Sequence, residues 1–244
     1  KIDSGPEIVH FADLVNNAGD PEPVTVDLDN DVAVLQYTGG TTGRPKGAML
    51  SQGNLSANVS QMLLWYVDLN PEDEKVLGIL PFFHVFAMTA VMNFAVAAGA
   101  QMILLPRYEL GQTLATINKK KPTIFPAVPT IYAAINQSPD LSKFDLSTVR
   151  FCISGGAPLP LEVKETFERL TGCRLVEGYG LSETAPVATC NAMADTNKPG
   201  SIGQVMPGTE ISIHDLEAPH EAMPVGERGE VWIKGPQVMR GYLN

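Results

Sequence analysis

The run Tyr37-Thr38-Gly39-Gly40-Thr41-Thr42-Gly43-Arg44-Pro45-Lys46-Gly47 gathers glycines, threonine hydroxyls and a lysine in one short stretch. That composition suits a phosphate group. Glycines let backbone amides curl around an anion, hydroxyls donate to its oxygens, and a lysine supplies a mobile positive charge. A Walker loop would carry glycine directly before the lysine and Ser or Thr directly after it, whereas Pro45 and Gly47 hold those places. The competing reading is a flexible hairpin turn that binds nothing, and it must meet the entropy cost of ordering so many glycines.

Two later stretches carry complementary chemistry. In Ser154-Gly155-Gly156-Ala157-Pro158-Leu159 the paired glycines leave room for a flat ring, although alone they read equally well as a tight turn. Glu177-Gly178-Tyr179-Gly180-Leu181-Ser182-Glu183-Thr184 combines an aromatic ring that can stack, a hydroxyl that can donate to phosphate, and a carboxylate that offers a hard oxygen to a divalent cation. His84 lies within Leu80-Pro81-Phe82-Phe83-His84-Val85-Phe86, where a lone histidine is ordinarily a hydrogen-bonded core residue. No Ser-His-Asp or Cys-His arrangement suggests a covalent intermediate.

Parallel βαβ alternation is the pattern that can bring such loops together. Strands are expected at Val32–Tyr37, Ala48–Leu50, Val76–Leu80, Met102–Leu105, Thr123–Phe125, Val149–Ser154 and Arg174–Val176. Helices are expected at Gln52–Tyr66 with Ser51 as N-cap, Phe86–Ala98 stopped by Gly99, a stretch marked by Leu110, Leu114 and Ile117, Pro129–Asn136, and Leu161–Leu170 stopped by Gly172. The fold class is therefore α/β, a mostly parallel sheet flanked by helices, whose ligand loops follow the strand C-termini. Past Gly200 the strands Glu210–His214 and Glu230–Lys234 alternate without a helix between them, which predicts a small antiparallel β-subdomain. The organisation reads as a connecting segment over 1–30, an α/β subdomain over 31–199 and the β-subdomain over 200–244.

Composition narrows the function. The 244 residues carry a formal net charge of -10, 44% hydrophobic and 18% charged residues, which opposes a nucleic-acid surface. The basic run Lys119-Lys120-Lys121 reads as a helix end before Pro122, where cations complement the helix dipole. Three cysteines, Cys152, Cys173 and Cys190, give neither a disulfide framework nor zinc spacing, and a reducing, cytoplasmic setting is expected. Val76 to Pro106 contains no Asp, Glu, Lys or Arg, yet Pro81, His84, Asn93, Gly99 and Gln101 interrupt it, so a buried βαβ unit is favoured over a membrane span.

Tyr37–Gly47, followed by the glycine pair and by Glu177–Thr184 in that order, resembles the adenylate-forming superfamily of acyl-CoA synthetases, luciferases and adenylation domains. The resemblance covers roughly Asp27 to Asn244, and its fold is part of the large N-terminal domain of that family. It implies that Thr38, Gly40, Thr41, Thr42, Gly43 and Lys46 hold the β- and γ-phosphates of ATP. It further implies that Gly155, Gly156 and Ala157 line the adenine and the acyl chain, and that Glu177, Gly178, Tyr179, Gly180, Leu181 and Ser182 complete the nucleotide site. Glu183 is the expected Mg²⁺ ligand, and Ser182 stands where threonine is commoner in the family. His84 is expected to face the carboxylate, with Phe83, Phe86, Met88 and Val128 as acyl-pocket candidates, each of which alone reads more readily as plain core. Lys46, His84, Ser182 and Glu183 are the catalytic candidates. The glycines of Gly226–Val231 and Gly235–Tyr242 read as turn residues.

The reaction so implied joins a fatty acid to coenzyme A through an acyl-adenylate. An aryl or short-chain carboxylate ligase, an amino-acid adenylation domain, and a nucleotide-binding module without turnover stand as alternatives. Peripheral membrane association or a homodimer of the parent enzyme is left open. The resemblance also places a ribose-binding aspartate and a lysine-bearing mobile domain beyond this chain, so the 244 residues alone are expected to bind nucleotide weakly and not to complete thioester formation.

Overall fold

The computed structural model describes residues 12, 15, 16, 19, 23–38, 45–70, 72–193, 197–218 and 220–243. β1 (Val32–Thr38) and β2 (Lys46–Ser51) form an antiparallel pair in which Tyr37 is opposite Gly47 and Thr38 opposite Lys46. Ser51 then caps α1 (Gln52–Trp65). Its hydroxyl accepts the Asn54 amide at 3.1 Å, and Asn54 Oδ1 accepts the Ser51 amide at 2.9 Å, so two otherwise orphaned donors are satisfied.

The uncharged segment becomes β3 (Lys75–Gly78), a long helix and β4 (Gln101–Leu104), with the two strands parallel. The helix is not uniform: it runs as α2 (Val85–Ala87), a π-helical stretch over Met88–Asn93, and α3 (Phe94–Ala97). Gly99, at φ 66°, makes the left-handed turn after it. Among the described residues no helix is long and apolar enough to cross a membrane.

α4 (Leu110–Lys120) keeps Lys119 and Lys120 in its last turn, and Lys121 leaves it in a left-handed conformation to pair with Asp145 at 2.5 Å. The strand expected at Thr123–Phe125 is reduced to single bridges from Ile124 to Val76 and to Phe151. Pro122 and Pro126 flank it, and neither offers an N–H for a longer ladder. α5 (Pro129–Asn136), β5 (Phe151–Ser154), α6 (Leu161–Thr171) and β6 (Arg174–Gly180) follow, with β5 and β6 parallel.

Residues alternate between two cores across this sheet. Val76, Ile124, Phe151, Ile153 and Val176 pack with Met62, Tyr66, Val91 and Phe94 on one face. Leu77, Phe125, Cys152 and Leu175 pack with Leu114, Ile117, Tyr132 and Phe167 on the other. Burial of both faces is what a parallel sheet covered by helices requires.

Residues 177–180 correct the sequence expectation, which placed them in a loop. β6 instead continues to Gly180 and pairs antiparallel with β7 (Val187–Cys190), which pairs in turn with β8 (Gln204–Val205). Neither β7 nor β8 has a counterpart among the expected strands. Glycine permits the extension, because a Cβ at Gly180 would stand 1.9 Å from the Pro186 carbonyl oxygen. β9 (Glu210–His214) and β10 (Glu230–Lys234) form the expected antiparallel hairpin, and β11 (Tyr242–Leu243) returns to pair with β2.

Candidate nucleotide and acyl site

Because β3, β5 and β6 lie in one parallel sheet, the segments leaving their C-terminal ends gather at one edge. His84 and Phe86 arrive from β3, Gly155 and Gly156 from β5, and Gly178 to Ser182 from the end of β6 and its exit. With Val85, Ile153, Pro186 and Val187 they line a cleft of about 540 Å³.

His84 is exposed rather than a core histidine. It sits just before α2, where its Nδ1 accepts the Phe86 amide at 3.2 Å. An accepting Nδ1 leaves the ring proton on Nε2, so the imidazole retains a donor for an oxygen ligand. Phe86 is buried beside Gly155, where an added Cβ would come within 3.3 Å of its ring. Gly155 thus holds the cleft open against the aromatic ring. Gly156 has φ 80°, a left-handed conformation in which glycine is unstrained. Of the other acyl-pocket candidates, Met88 is buried in a separate cluster with Leu50, Leu55, Val85 and Ala185, and Phe83 is 82% exposed.

Two buried polar contacts hold the cleft walls together. Thr89 Oγ1, in the π-helical stretch, donates to the Ala185 carbonyl at 2.8 Å, beside the 3-10 turn Ser182–Thr184. Asn58 of α1 donates to the Val187 carbonyl at 2.8 Å and accepts the Val187 amide at 3.0 Å. Neither residue was among the sequence candidates, and a lone Asn or Thr within a helix carries no signal of such a role.

Not every candidate reaches the cleft. Ala157 is exposed outside its lining, and Glu177 borders a separate small hollow with Leu159, Lys164 and Asn191. Burial pushes the Glu177 carboxyl above its usual range, against the opposing effect of the Leu159 amide. Gly40, Thr41, Thr42 and Gly43 lie outside the described residues. Of the residues flanking them, Thr38 and Lys46 pair between β1 and β2, and Thr38 Oγ1 donates to the Lys46 carbonyl at 3.5 Å.

Lys46 and Glu183 meet through a residue that the sequence reading assigned no chemistry. Tyr242 donates its hydroxyl to Glu183 Oε1 at 2.6 Å, and the Lys46 ammonium stands 5.2 Å from the centroid of the same ring. The hydrogen bond to Glu183 is the main cause that raises the Tyr242 phenol above its usual range, which keeps it a donor. Among the described residues no cluster of three or more His, Cys, Asp or Glu could hold a metal ion.

The sequence profile described as AMP-binding enzyme matches residues 3–243. A long-chain-fatty-acid–CoA ligase of Bacillus subtilis (strain 168) is 52% identical over 219 residues, covering 90% of this chain and 39% of that protein. 4-coumarate–CoA ligase 1 of Petroselinum crispum is 37% identical, covering 100% of this chain and 46% of that protein. Among solved structures, ATP-bound MatB from Rhodopseudomonas palustris superposes with a TM-score of 0.79 at 33% identity, covering 88% of this chain and 42% of that one. The chain spans less than half the length of these relatives.

Proposed function

Since the chain belongs to the AMP-binding enzyme family, we propose that it supplies the nucleotide- and acyl-binding surfaces of a ligase that activates a fatty acid with ATP and passes it to coenzyme A. The observation that carries this reading is the convergence of His84, Gly155, Gly156 and Gly178–Ser182 on one cleft. In the first half-reaction a carboxylate oxygen bonds to the α-phosphorus of ATP and pyrophosphate leaves. In the second, the sulfur of coenzyme A bonds to the acyl carbon and AMP leaves.

The protein's contribution is positional and electrostatic. Tyr179, half-buried in β6 and lining the cleft, offers its ring to adenine. The Nε2–H of His84 orients the carboxylate, Ser182 donates to the α-phosphate, and Lys46 draws the departing pyrophosphate. A single carboxylate, Glu183, fits Mg²⁺, which binds through one or two carboxylates plus phosphate oxygens and water. When bound, the ion neutralises charge on the phosphate oxygens. The fatty acyl choice is supported by the 52% identity to the Bacillus subtilis ligase. An aryl acid is the second reading, supported by the full-length match of this chain to the 4-coumarate ligase. A cytoplasmic protein, free or peripherally associated with a membrane, is consistent with either.

Pyrophosphate exchange in the full-length protein tests the assignment. Lys46→Ala is expected to lower exchange by two orders of magnitude or more while leaving carboxylate binding within a few-fold. Exchange close to wild type would remove the lysine from the phosphate site. Competition between palmitate and 4-coumarate as substrates decides the acid.

A further inference from the structure

The segment Met239–Leu243 is sewn to both halves of the phosphate end of the site. The Met239 amide donates to the Glu183 carbonyl at 2.8 Å, the Arg240 amide to the Met49 carbonyl at 3.0 Å, and the Met49 amide to the Gly241 carbonyl at 2.9 Å. β11 then pairs Tyr242 with Ala48 and Leu243 with Gly47. In that register Tyr242 stands diagonally across from Lys46 on the same face of the sheet, within the reach of an aromatic ring. Its ring is 5.2 Å from the ammonium, and its hydroxyl is 2.6 Å from Glu183 Oε1. One side chain therefore touches both charged groups assigned to the phosphates and the metal.

Resting on the proposed roles of Lys46 and Glu183, we propose that Tyr242 is a positioning residue that sets the spacing of these two groups. Its hydroxyl engages Oε1, which fixes the carboxylate plane and leaves Oε2 for the cation. Its ring seats the ammonium by a cation–π contact, so that the lysine does not collapse onto Glu183 when the phosphates are absent. A carboxylate and an ammonium free to pair directly would neutralise each other and serve neither the cation nor the pyrophosphate. The phenol separates them while remaining neutral, and its short strand ties that separation to the hairpin that carries the phosphate loop.

Tyr242→Phe removes the hydroxyl and keeps the ring; Tyr242→Leu removes both. In the full-length protein titrated with preformed Mn²⁺–ATP, electron spin resonance distinguishes the protein-bound from the free complex, so the affinity for the bound ion reports the carboxylate independently of turnover. Outer ligand partners of this kind typically contribute 10–100-fold to metal affinity, and the exposure of Tyr242 places it at the low end, about tenfold. Tyr242→Phe is thus expected to weaken Mn²⁺ about tenfold with the KM for pyrophosphate unchanged. Tyr242→Leu is expected to weaken Mn²⁺ equally and to raise that KM several-fold, with thermal midpoints near wild type for both. Glu183→Gln is measured alongside. If it abolishes the Mn²⁺ signal while Tyr242→Phe stays within twofold of wild type, Tyr242 has no positioning role and the metal assignment stands. If Glu183→Gln itself leaves Mn²⁺ binding unchanged, the metal assignment fails and the inference fails with it.

Discussion

A single methyl group at Gly180 should unseat the strand end that lines the cleft. Alanine there would put Cβ 1.9 Å from the Pro186 carbonyl oxygen, 2.7 Å from its carbon and 3.1 Å from Val187 Cα. All three are backbone atoms of the antiparallel partner, so no side-chain rotation relieves the clash. Over-packing typically costs 1–3 kcal/mol, and the rigid neighbours place this case at about 3 kcal/mol or above. For a protein of this size, that is a fall in thermal midpoint of roughly 6–12 °C. Gly178→Ala is the internal control on the same strand. Its Cβ would meet Ile153 Cγ2 at 3.3 Å and Cys190 Sγ at 3.6 Å, which are side-chain atoms able to give by tenths of an ångström. Removing a glycine also restricts the unfolded chain, a gain of about 0.4–1 kcal/mol, so the control should lie within about 1 kcal/mol of wild type. Calorimetry on both variants decides. A Gly180→Ala midpoint within about 2 °C of wild type, or equal falls for both, would refute the argument from close approach.

The Lys121 ammonium, with Ser147, holds the Asp145 carboxyl well below its usual range. A folded value below the unfolded one stabilises above the unfolded carboxylate range and is lost as pH falls through the folded value. Asp145→Asn should therefore melt below wild type at pH 7, with the gap closing as the pH is lowered past about 4; a gap that is constant down to pH 2 would show that titration plays no part. Burial pushes the Cys190 thiol up to about 12 and the Cys152 thiol well above its usual range, and all three cysteines are buried. At pH 8 a thiol reagent should label the native protein slowly and three thiols after denaturation, whereas full native labelling within minutes would contradict the packing.

The elements that periodicity and punctuation mark were legible in the sequence. Ser51 announces α1, Pro129 opens α5, and the stops after Ala98 and Thr171 are the glycines at 99 and 172. The alternation of Val76 with Leu77 and of Cys152 with Ile153 feeds two opposite cores, and a continuous apolar strand gives no hint of which residue enters which. The turn glycines at 178 and 180 misled, because a Gly-Tyr-Gly stretch reads as a loop unless the backbone it must approach is known. That backbone belongs to residues 186–190, which fold back from the other end of the same loop.

The polar scaffold of the site was illegible for a different reason. Asn58 is a polar residue within a helix, yet it is fully buried and presents both a donor and an acceptor to Val187, 129 residues away. An amide side chain in that pose imitates the backbone of a neighbouring strand. It satisfies both the N–H and the C=O of a residue at the start of β7. The same Asn58 amide donates to Gln61 at 2.9 Å, and Gln61 donates in turn to the Pro207 carbonyl at 2.7 Å and to Gln237 at 3.2 Å. α1 is thereby joined to the turn before β9 and to the segment leading to Tyr242. Val187 lines the cleft and the Met239 amide is bonded to the Glu183 carbonyl, so this buried chain of amides links α1 to the cleft wall and to the segment that carries Tyr242. Its members gain their meaning from partners more than a hundred residues distant, which local spacing does not encode.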